Sequence, residues 1–114
     1  MLVLADAADA PAHLTLLKKI LRAIGHDFDQ DIWFATLESS ESYRLLSSDV
    51  LQSVRTVLMF GIPPGNVGIR VHGAQRILQY DGFRVIMAPA LSVLAEDGNQ
   101  KRALWNLLQE VFQV

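Results

Sequence analysis

The sequence predicts an α/β fold in which a small mixed sheet is flanked by helices. Residues 56–60, Thr-Val-Leu-Met-Phe, are apolar without alternation, which is typical of a strand covered on both faces. Apolar residues recur at helical spacing in segments 12–24 and 99–112, on either side of this strand along the chain. Helices that precede and follow a buried strand are the pattern of an α/β domain.

Length and composition fit one folded domain over residues 1–114. The chain is long enough to bury a core, and an apolar fraction of 51% argues against disorder. Cysteine is absent, which excludes disulfides and thiolate metal sites and agrees with a cytoplasmic protein. No apolar run reaches the roughly 18 residues that span a membrane. Because the net charge is −2 and the ten basic residues are scattered along the sequence, we expect no direct DNA binding.

The N-terminal third is predicted to hold one helix and one strand. Residues 1–11 are expected to form a loose leader, since small and acidic residues dominate from position 5 onward. A helix is expected over 12–24, and Gly25 is placed to end it as the C′ residue. Residues 32–37, Ile-Trp-Phe-Ala-Thr-Leu, are rich in β-formers and predict a strand.

The middle of the chain predicts a helix, an irregular segment and a hairpin. A second helix is expected over residues 43–53, after a group of serines. Residues 61–73 contain two prolines and four glycines, which exclude a regular helix. Asp81-Gly82 separates the β-like runs 75–80 and 83–87 and therefore predicts a β-hairpin, which makes the sheet mixed.

The C-terminal third is predicted to be helical. Pro89 ends the last strand, and a short helix is expected over residues 92–96. Asn99 is the predicted N-cap of a closing helix that runs to about Phe112.

A glycine-proline loop follows the buried strand, where open α/β sheets bind ligands. Gly61, Pro63, Pro64 and Gly65 are its candidate ligand-binding residues. The loop lacks the glycine pattern of dinucleotide sites and the lysine of the P-loop, so a rigid surface crossover is the simpler interpretation.

The same loop is similar to the first motif of uracil-DNA glycosylases, a buried strand followed by Gly-x-x-Pro. In that family an acidic or amide residue in the loop handles the attacking water. Ile62 and Pro63 stand in its place here, and no His-Pro-Ser segment follows. A glycosylase-like enzyme, or an inactive remnant that uses residues 61–73, is therefore the alternative function.

No combination of side chains predicts catalysis, a metal site or a cofactor site. The three histidines lie in separate local contexts without metal-ligand spacing. Asp27, Asp29 and Asp31 resemble the start of a calcium loop, but Ile32 occupies the position that requires glycine. No nucleophile is accompanied by a base and oxyanion donors. We therefore expect no enzyme and no cofactor.

Three aromatic residues are candidates for binding a partner protein: Trp33, Phe34 and Trp105. Trp105 flanks the apolar stripe of the closing helix, so core packing and partner binding are both open for it. Trp33 and Phe34 are adjacent on the predicted strand and point to opposite faces of the sheet. One of the two therefore faces a covering helix or a partner.

The last third of the chain carries an ordered set of residues: Ala88-Pro89-Ala90-Leu91, Leu94, Asp97-Gly98-Asn99, Arg102 and Ala103-Leu104-Trp105. This set resembles the C-terminal part of the psi subunits of bacterial DNA polymerase III. The likeness covers residues 54–112 and is strongest over 85–112. It implies a three-layer α/β/α sandwich with a small, mainly parallel or mixed sheet of roughly four to five strands.

The resemblance also implies a function. Psi subunits are non-catalytic members of the clamp-loader assembly. Their extended N-terminal peptide holds the clamp-loader ATPase subunits, and their folded domain binds the chi subunit. The expected partners are therefore clamp-loader ATPase subunits and a chi-like subunit, with no membrane. Residues 1–16 contain neither the arginines nor the tryptophan that this peptide carries in psi subunits.

Overall fold

The computed structural model describes residues 1–30, 32–38, 54–69, 76–80 and 82–112. Its strands are β1 (Leu2–Asp6), β2 (Trp33–Leu37), β3 (Thr56–Phe60), β4 (Ile77–Tyr80) and β5 (Phe83–Ala88). Its helices are α1 (Leu14–Ala23), α2 (Leu91–Glu96) and α3 (Gly98–Phe112), with short 3-10 turns at Pro11–His13 and Pro64–Val67.

The strands form one mixed sheet in the order β2-β1-β3-β5-β4. β1 pairs in parallel with β2 and β3, β3 pairs in parallel with β5, and β4 runs antiparallel to β5. The predicted α/β class with a mixed sheet is confirmed. The chain moves from β1 to one side of the sheet and then crosses to β3 on the other side, so the topological switch point lies between β1 and β3.

Residues 1–11 are not a loose leader, which corrects the expectation from the sequence. β1 lies between β2 and β3, and its residues Leu2, Val3, Leu4 and Ala5 are each at most 6% exposed. A short run of apolar residues is typical of a strand buried on both faces, and Ala5 lies in the same core cluster as the buried residues of the helices. The small and acidic residues that follow form the turn into α1.

The described helices pack on one face of the sheet. Val3, Leu58 and Ile86 meet the buried residues of the helices, Leu17, Leu21, Leu91, Leu94, Leu104 and Leu108. On the opposite face, strand residues of β1, β3 and β5 pack with Ile62, Val67 and Ile69. The predicted helix over residues 43–53 lies outside the described residues, so the second helical layer of the sandwich stays a prediction.

The end of α1 is set by Gly25, as predicted. The backbone N–H of His26 donates to the carbonyl of Leu21 (2.9 Å), and that of Gly25 donates to Arg22 (3.0 Å). Gly25 has φ +84°, a conformation that costs glycine little. This bonding pattern is the Schellman motif, which satisfies carbonyls at the helix end.

The predicted hairpin is also confirmed. Tyr80 and Phe83 are opposite each other at the ends of β4 and β5, and their rings stack with centroids 4.9 Å apart. Gly82 in the connection has φ +89°, which explains the need for glycine there.

The N-cap of α3 is Asp97 and not Asn99. The Oδ1 atom of Asp97 accepts hydrogen bonds from the N–H groups of Asn99 (3.0 Å) and Gln100 (3.3 Å). Its carbonyl accepts from Lys101, which is the first bond of the helix ladder. Both residue types are good caps, and Asp97 is favoured because Gly98 can occupy the first helical position.

Gly61 joins the ends of two neighbouring strands. It follows β3, has φ +69°, and its N–H donates to the carbonyl of Ala88 at the end of β5 (3.0 Å). A Cβ atom at position 61 would lie 2.7 Å from Cβ and 2.8 Å from Cα of Ala90. The two chain segments therefore touch backbone to backbone at the carboxyl end of the sheet.

We expect Gly61→Ala to destabilise the protein much more than Gly82→Ala. Both positions have positive φ, which costs a non-glycine residue about 1–2 kcal/mol. Only at position 61 does the added Cβ also collide with backbone, which raises the expected loss of unfolding free energy above about 3 kcal/mol. Urea unfolding of both variants measures the difference, and equal losses would show that the Gly61–Ala90 contact is not tight.

Candidate functional site

α1 and α3 leave an open groove between them on the outer side of the helical layer. We call it the α1/α3 groove, and it has a volume of about 240 Å³. Its lining residues are Leu16, Lys19, Ile20, Ala23, Lys101, Leu104, Trp105 and Leu108. The lining is apolar except for the two lysines, which are both exposed.

The groove exists because each helix carries a second apolar stripe beside the one that faces the sheet. On α1, Leu17 and Leu21 are buried against the sheet, whereas Leu16 and Ile20 lie one position earlier and are half-buried. Residues four apart lie on the same helix face, so Leu16 and Ile20 form one wall. On α3, Leu104 and Leu108 are buried, and Trp105 stands beside them.

The C-terminal ends of the two helices are tied together through Phe112. Its ring contacts the ring of His26, just beyond α1, edge-on with centroids 5.8 Å apart. The guanidinium of Arg84 lies 5.2 Å from the centroid of the same ring. Arg84 also donates from Nε to Oγ1 of the buried Thr56 (3.2 Å). These contacts join the end of α3 to the segment that follows α1 and to the sheet.

Trp105 lies at the border between the core and the surface, so core packing accounts for only part of its ring and partner binding stays a prediction. It packs against the core cluster, yet it is only half-buried and lines the groove. Tryptophan is enriched among residues that dominate binding energy at protein interfaces. An amphipathic pattern places Trp105 at the border of the buried stripe, but it does not show which other helix stands opposite.

Half of the basic residues, which are scattered along the sequence, lie on the two helices that form the groove. Five of the ten lie on α1 and the first half of α3, and all five are exposed: Lys18, Lys19, Arg22, Lys101 and Arg102. α1 has no acidic residue, and Glu110 is the single one on α3. The sequence does not reveal that these basic residues lie on adjoining helices, because α1 and α3 are far apart along the chain.

Trp33 belongs to a different surface. It lies on β2, which pairs only with β1 among the described strands, and its side chain is 54% exposed. Phe34 points to the opposite face, where its ring packs on Phe28 with centroids 5.2 Å apart. Phe34 therefore contributes to packing under α1. Trp33 and Trp105 lie on opposite faces of the sheet and do not form one binding surface.

The glycine-proline loop lines a small cavity at the switch point. Gly61, Ile62 and Pro63 share this cavity, of about 120 Å³, with four residues that end or follow β1, β2 and β3: Asp6, Leu37, Glu38 and Asn66. Gly65 is exposed and is not part of its lining. The polar lining residues Asp6, Glu38 and Asn66 escape prediction because β1 is not recognised as a strand, so its end cannot be placed beside the loop.

Two acidic residues near this edge have structural partners. Oδ1 of Asp6 accepts from the N–H of Ala8 (2.8 Å) within the turn after β1. Oδ2 of Asp9 accepts from the N–H of Ser92 (2.9 Å) in the first turn of α2, and its Oδ1 lies 3.8 Å from Nε2 of His13. Asp9 therefore caps a helix that is distant in sequence.

The described part of the chain shows no group of three or more histidine, aspartate or glutamate side chains that could hold a metal ion. Oδ1 of Asp27 accepts from the N–H of Asp29 (2.9 Å), which is the geometry of a local turn. Asp31 lies outside the described residues. Searching the described residues also finds no helix with the length and apolarity needed to cross a membrane.

Trp105→Ala is expected to cost less stability than Leu104→Ala. Leu104 is 2% exposed, and truncation of a buried leucine costs about 2–5 kcal/mol. Trp105 is half-buried and open to the groove, so we expect a loss of about 1–2 kcal/mol. Thermal or urea unfolding of the two variants gives the comparison. A larger loss for Trp105→Ala would mean that its ring is mainly a core residue.

Comparisons with known proteins identify no relative of this chain. No protein-family model, no curated protein and no solved structure matches this chain. The likeness to psi subunits therefore stands on the residues quoted from the sequence, and the structure shows where each of them lies.

Proposed function

We propose that this chain is a non-catalytic subunit that acts by protein–protein binding, of the psi type, in the cytoplasmic clamp-loader assembly of bacterial DNA polymerase III. One observation carries the proposal. Trp105, the last residue of the Ala-Leu-Trp set, lines an open apolar groove and is not sealed in the core. A half-exposed tryptophan in a groove with apolar walls is typical of a protein-binding surface.

The residues of the resemblance divide into two groups. Leu91, Leu94 and Leu104 are at most 2% exposed, so core packing is enough to explain them. Arg102 is exposed and Trp105 half-buried, and the core requires neither an arginine nor a tryptophan at these positions. These two residues therefore support a shared function, whereas the leucines support a shared fold.

The folded domain is the part of the chain that this proposal assigns to binding. Residues Leu2–Asp6 form a central strand, so they are not available as an extended peptide of the kind that holds the clamp-loader ATPase subunits. A chi-like subunit, which contacts the folded domain in psi proteins, is the partner that the groove fits better. Any contact with the ATPase subunits would use a different surface.

A capture experiment tests the proposal. The tagged chain is expressed in its own cells and cross-linked, and its partners are identified by mass spectrometry. We expect a chi-like subunit and clamp-loader subunits with the parent chain. Trp105→Ala should reduce the recovery of the chi-like subunit by about tenfold, as for an interface anchor.

Asn106→Ala is the matched control. Asn106 is the exposed neighbour of Trp105 on α3 and does not line the groove, so this variant should recover partners as the parent does. Unfolding curves of both variants show whether a loss of binding reflects a loss of folding. Reproducible partners that include no replication protein would refute the proposed function.

The alternative, a glycosylase-like enzyme that uses the loop 61–73, receives support only from the polar residues at the switch-point cavity. Ile62 is 7% exposed and packs into the core, and its apolar side chain has no polar atom that could hold a water in that cavity. The cavity of about 120 Å³ is also well below the roughly 300–1,000 Å³ of ordinary ligand sites. Both findings favour the non-catalytic proposal.

We expect no release of free uracil from a uracil-containing oligonucleotide. The reason is that Ile62 and Pro63, which stand in the place of the residue that handles the attacking water, are apolar. Release can be measured by chromatography, with Asp6→Asn as the diagnostic variant because Asp6 lines the cavity. Uracil release by the parent that disappears in Asp6→Asn would establish the enzymatic alternative.

A further inference from the structure

We propose that the α1/α3 groove binds an amphipathic helix with acidic flanks, supplied by a partner protein. The inference rests on the proposed function, since it specifies how the folded domain recognises its partner. It adds the chemistry of the bound segment, which the resemblance does not provide.

The shape of the groove suits the side chains of a helix better than a small molecule. Its volume of about 240 Å³ is below that of ordinary ligand sites, roughly 300–1,000 Å³, and it is partly open to solvent. Its walls are two helices with half-buried apolar stripes, represented by Leu16, Ile20 and Trp105. A third helix can insert apolar residues at spacings of three and four between such walls, which is the helix-in-groove mode of peptide recognition.

The charge at the rim selects the partner. Lys19 stands on the α1 wall and Lys101 on the α3 wall, so any helix in the groove has an ammonium group on each side. No acidic residue is among the described residues that line the groove, whereas Lys18 and Arg22 line a separate pocket together with Asp27 and Asp29. In a chain of net charge −2 the rim of the groove is therefore a local site of positive charge. Acidic flanks complement it, and basic flanks would be repelled.

Nucleic acid is the rival occupant of a basic surface. Its phosphates would be served by the lysines and arginines, and Trp105 could stack on a base. The apolar wall of Leu16, Ile20 and Ala23 offers no hydrogen-bond donor to a phosphate, however, and would stay uncovered by a nucleic-acid backbone. An amphipathic helix covers this wall and the charged rim together, and for this reason we favour it.

Fluorescence anisotropy with defined probes tests the inference. The first probe is a labelled helical peptide of about 16 residues, with leucines at spacings of three and four and glutamates elsewhere. The second has lysine at every glutamate position, and the third is a labelled oligothymidine of similar length. We expect the glutamate peptide to bind at least about tenfold more tightly than the lysine peptide, with an affinity that falls as salt is added.

Charge reversal locates the site. The double variant Lys19→Glu/Lys101→Glu should invert the preference between the two peptides. The matched control Lys18→Glu/Arg22→Glu makes the same change in net charge on α1, at positions that line a separate pocket and not the groove. It should keep the preference for the glutamate peptide. Equal effects of the two double variants, or no preference in the parent, would refute the inference.

The remaining outcomes are also decisive. Binding of oligothymidine that exceeds peptide binding, and that is lost in Trp105→Ala, would assign the surface to nucleic acid and refute the peptide inference. If the captured chi-like subunit is retained by Lys19→Glu/Lys101→Glu, the proposed function stands and the groove assignment fails. If the glutamate peptide binds in the groove but capture recovers no replication protein, the proposed function fails and the groove assignment stands.

Discussion

The contact between Gly61 and Ala90 sets the positions of the elements that matter for binding. It brings the end of β3 against the segment that leaves β5, with no room for a side chain between them. Because the chain enters α2 directly after Ala90, the contact fixes where α2 begins. α2 leads through Asp97 into α3, so the placement of Trp105 depends on backbone packing at the carboxyl end of the sheet.

This contact also joins two parts of the chain that are distant in sequence. The glycine-proline loop suggests a glycosylase-like site, and Ala88-Pro89-Ala90-Leu91 suggests a psi-like C-terminal part. In the structure they pack on each other, and the hydrogen bond from Gly61 to Ala88 joins them. Glycine at position 61 is thus explained by close packing of the chain. A ligand is not needed to account for it.

The helical layer serves the core and the surface with different residues of the same helices. Leu17, Leu21, Leu104 and Leu108 fill the core, while Leu16, Ile20 and Trp105 remain accessible between α1 and α3. An apolar fraction of 51% is high for a chain of this size, and the outer stripes account for part of it. Apolar residues beyond the need of the core are a cost to solubility unless a partner covers them.

The sequence predicts those elements whose signals are local. Unalternating apolar residues identify β3, the position of Gly25 identifies the end of α1, and Asp-Gly identifies the hairpin. β1 is missed because Leu2–Ala5 is short and is followed by residues that favour turns, and only its neighbours in the sheet reveal it. The choice between Asp97 and Asn99 as N-cap depends on backbone geometry that both residues permit.

The candidate site is predictable only in part, for a similar reason. Trp105 stands out as a large aromatic residue beside a buried stripe. Its neighbours across the groove, Leu16 and Ile20, do not, because helical periodicity shows how wide an apolar face is and not which helix lies next to it. The gathering of basic residues likewise depends on the tertiary arrangement of α1 and α3.

The central position of β1 has a consequence for how the protein is made. β3, which pairs with β1, comes much later in the chain. Ser92, whose N–H donates to Asp9 just after β1, lies 83 residues beyond Asp9. β1 therefore leaves the ribosome well before the residues that complete its hydrogen bonds and cover both of its apolar faces. Folding dominated by such non-local pairing is slow, and an uncovered strand edge can pair with other chains. Synthesis that stops before β3 would leave one edge of β1 unpaired, with a strong tendency to aggregate.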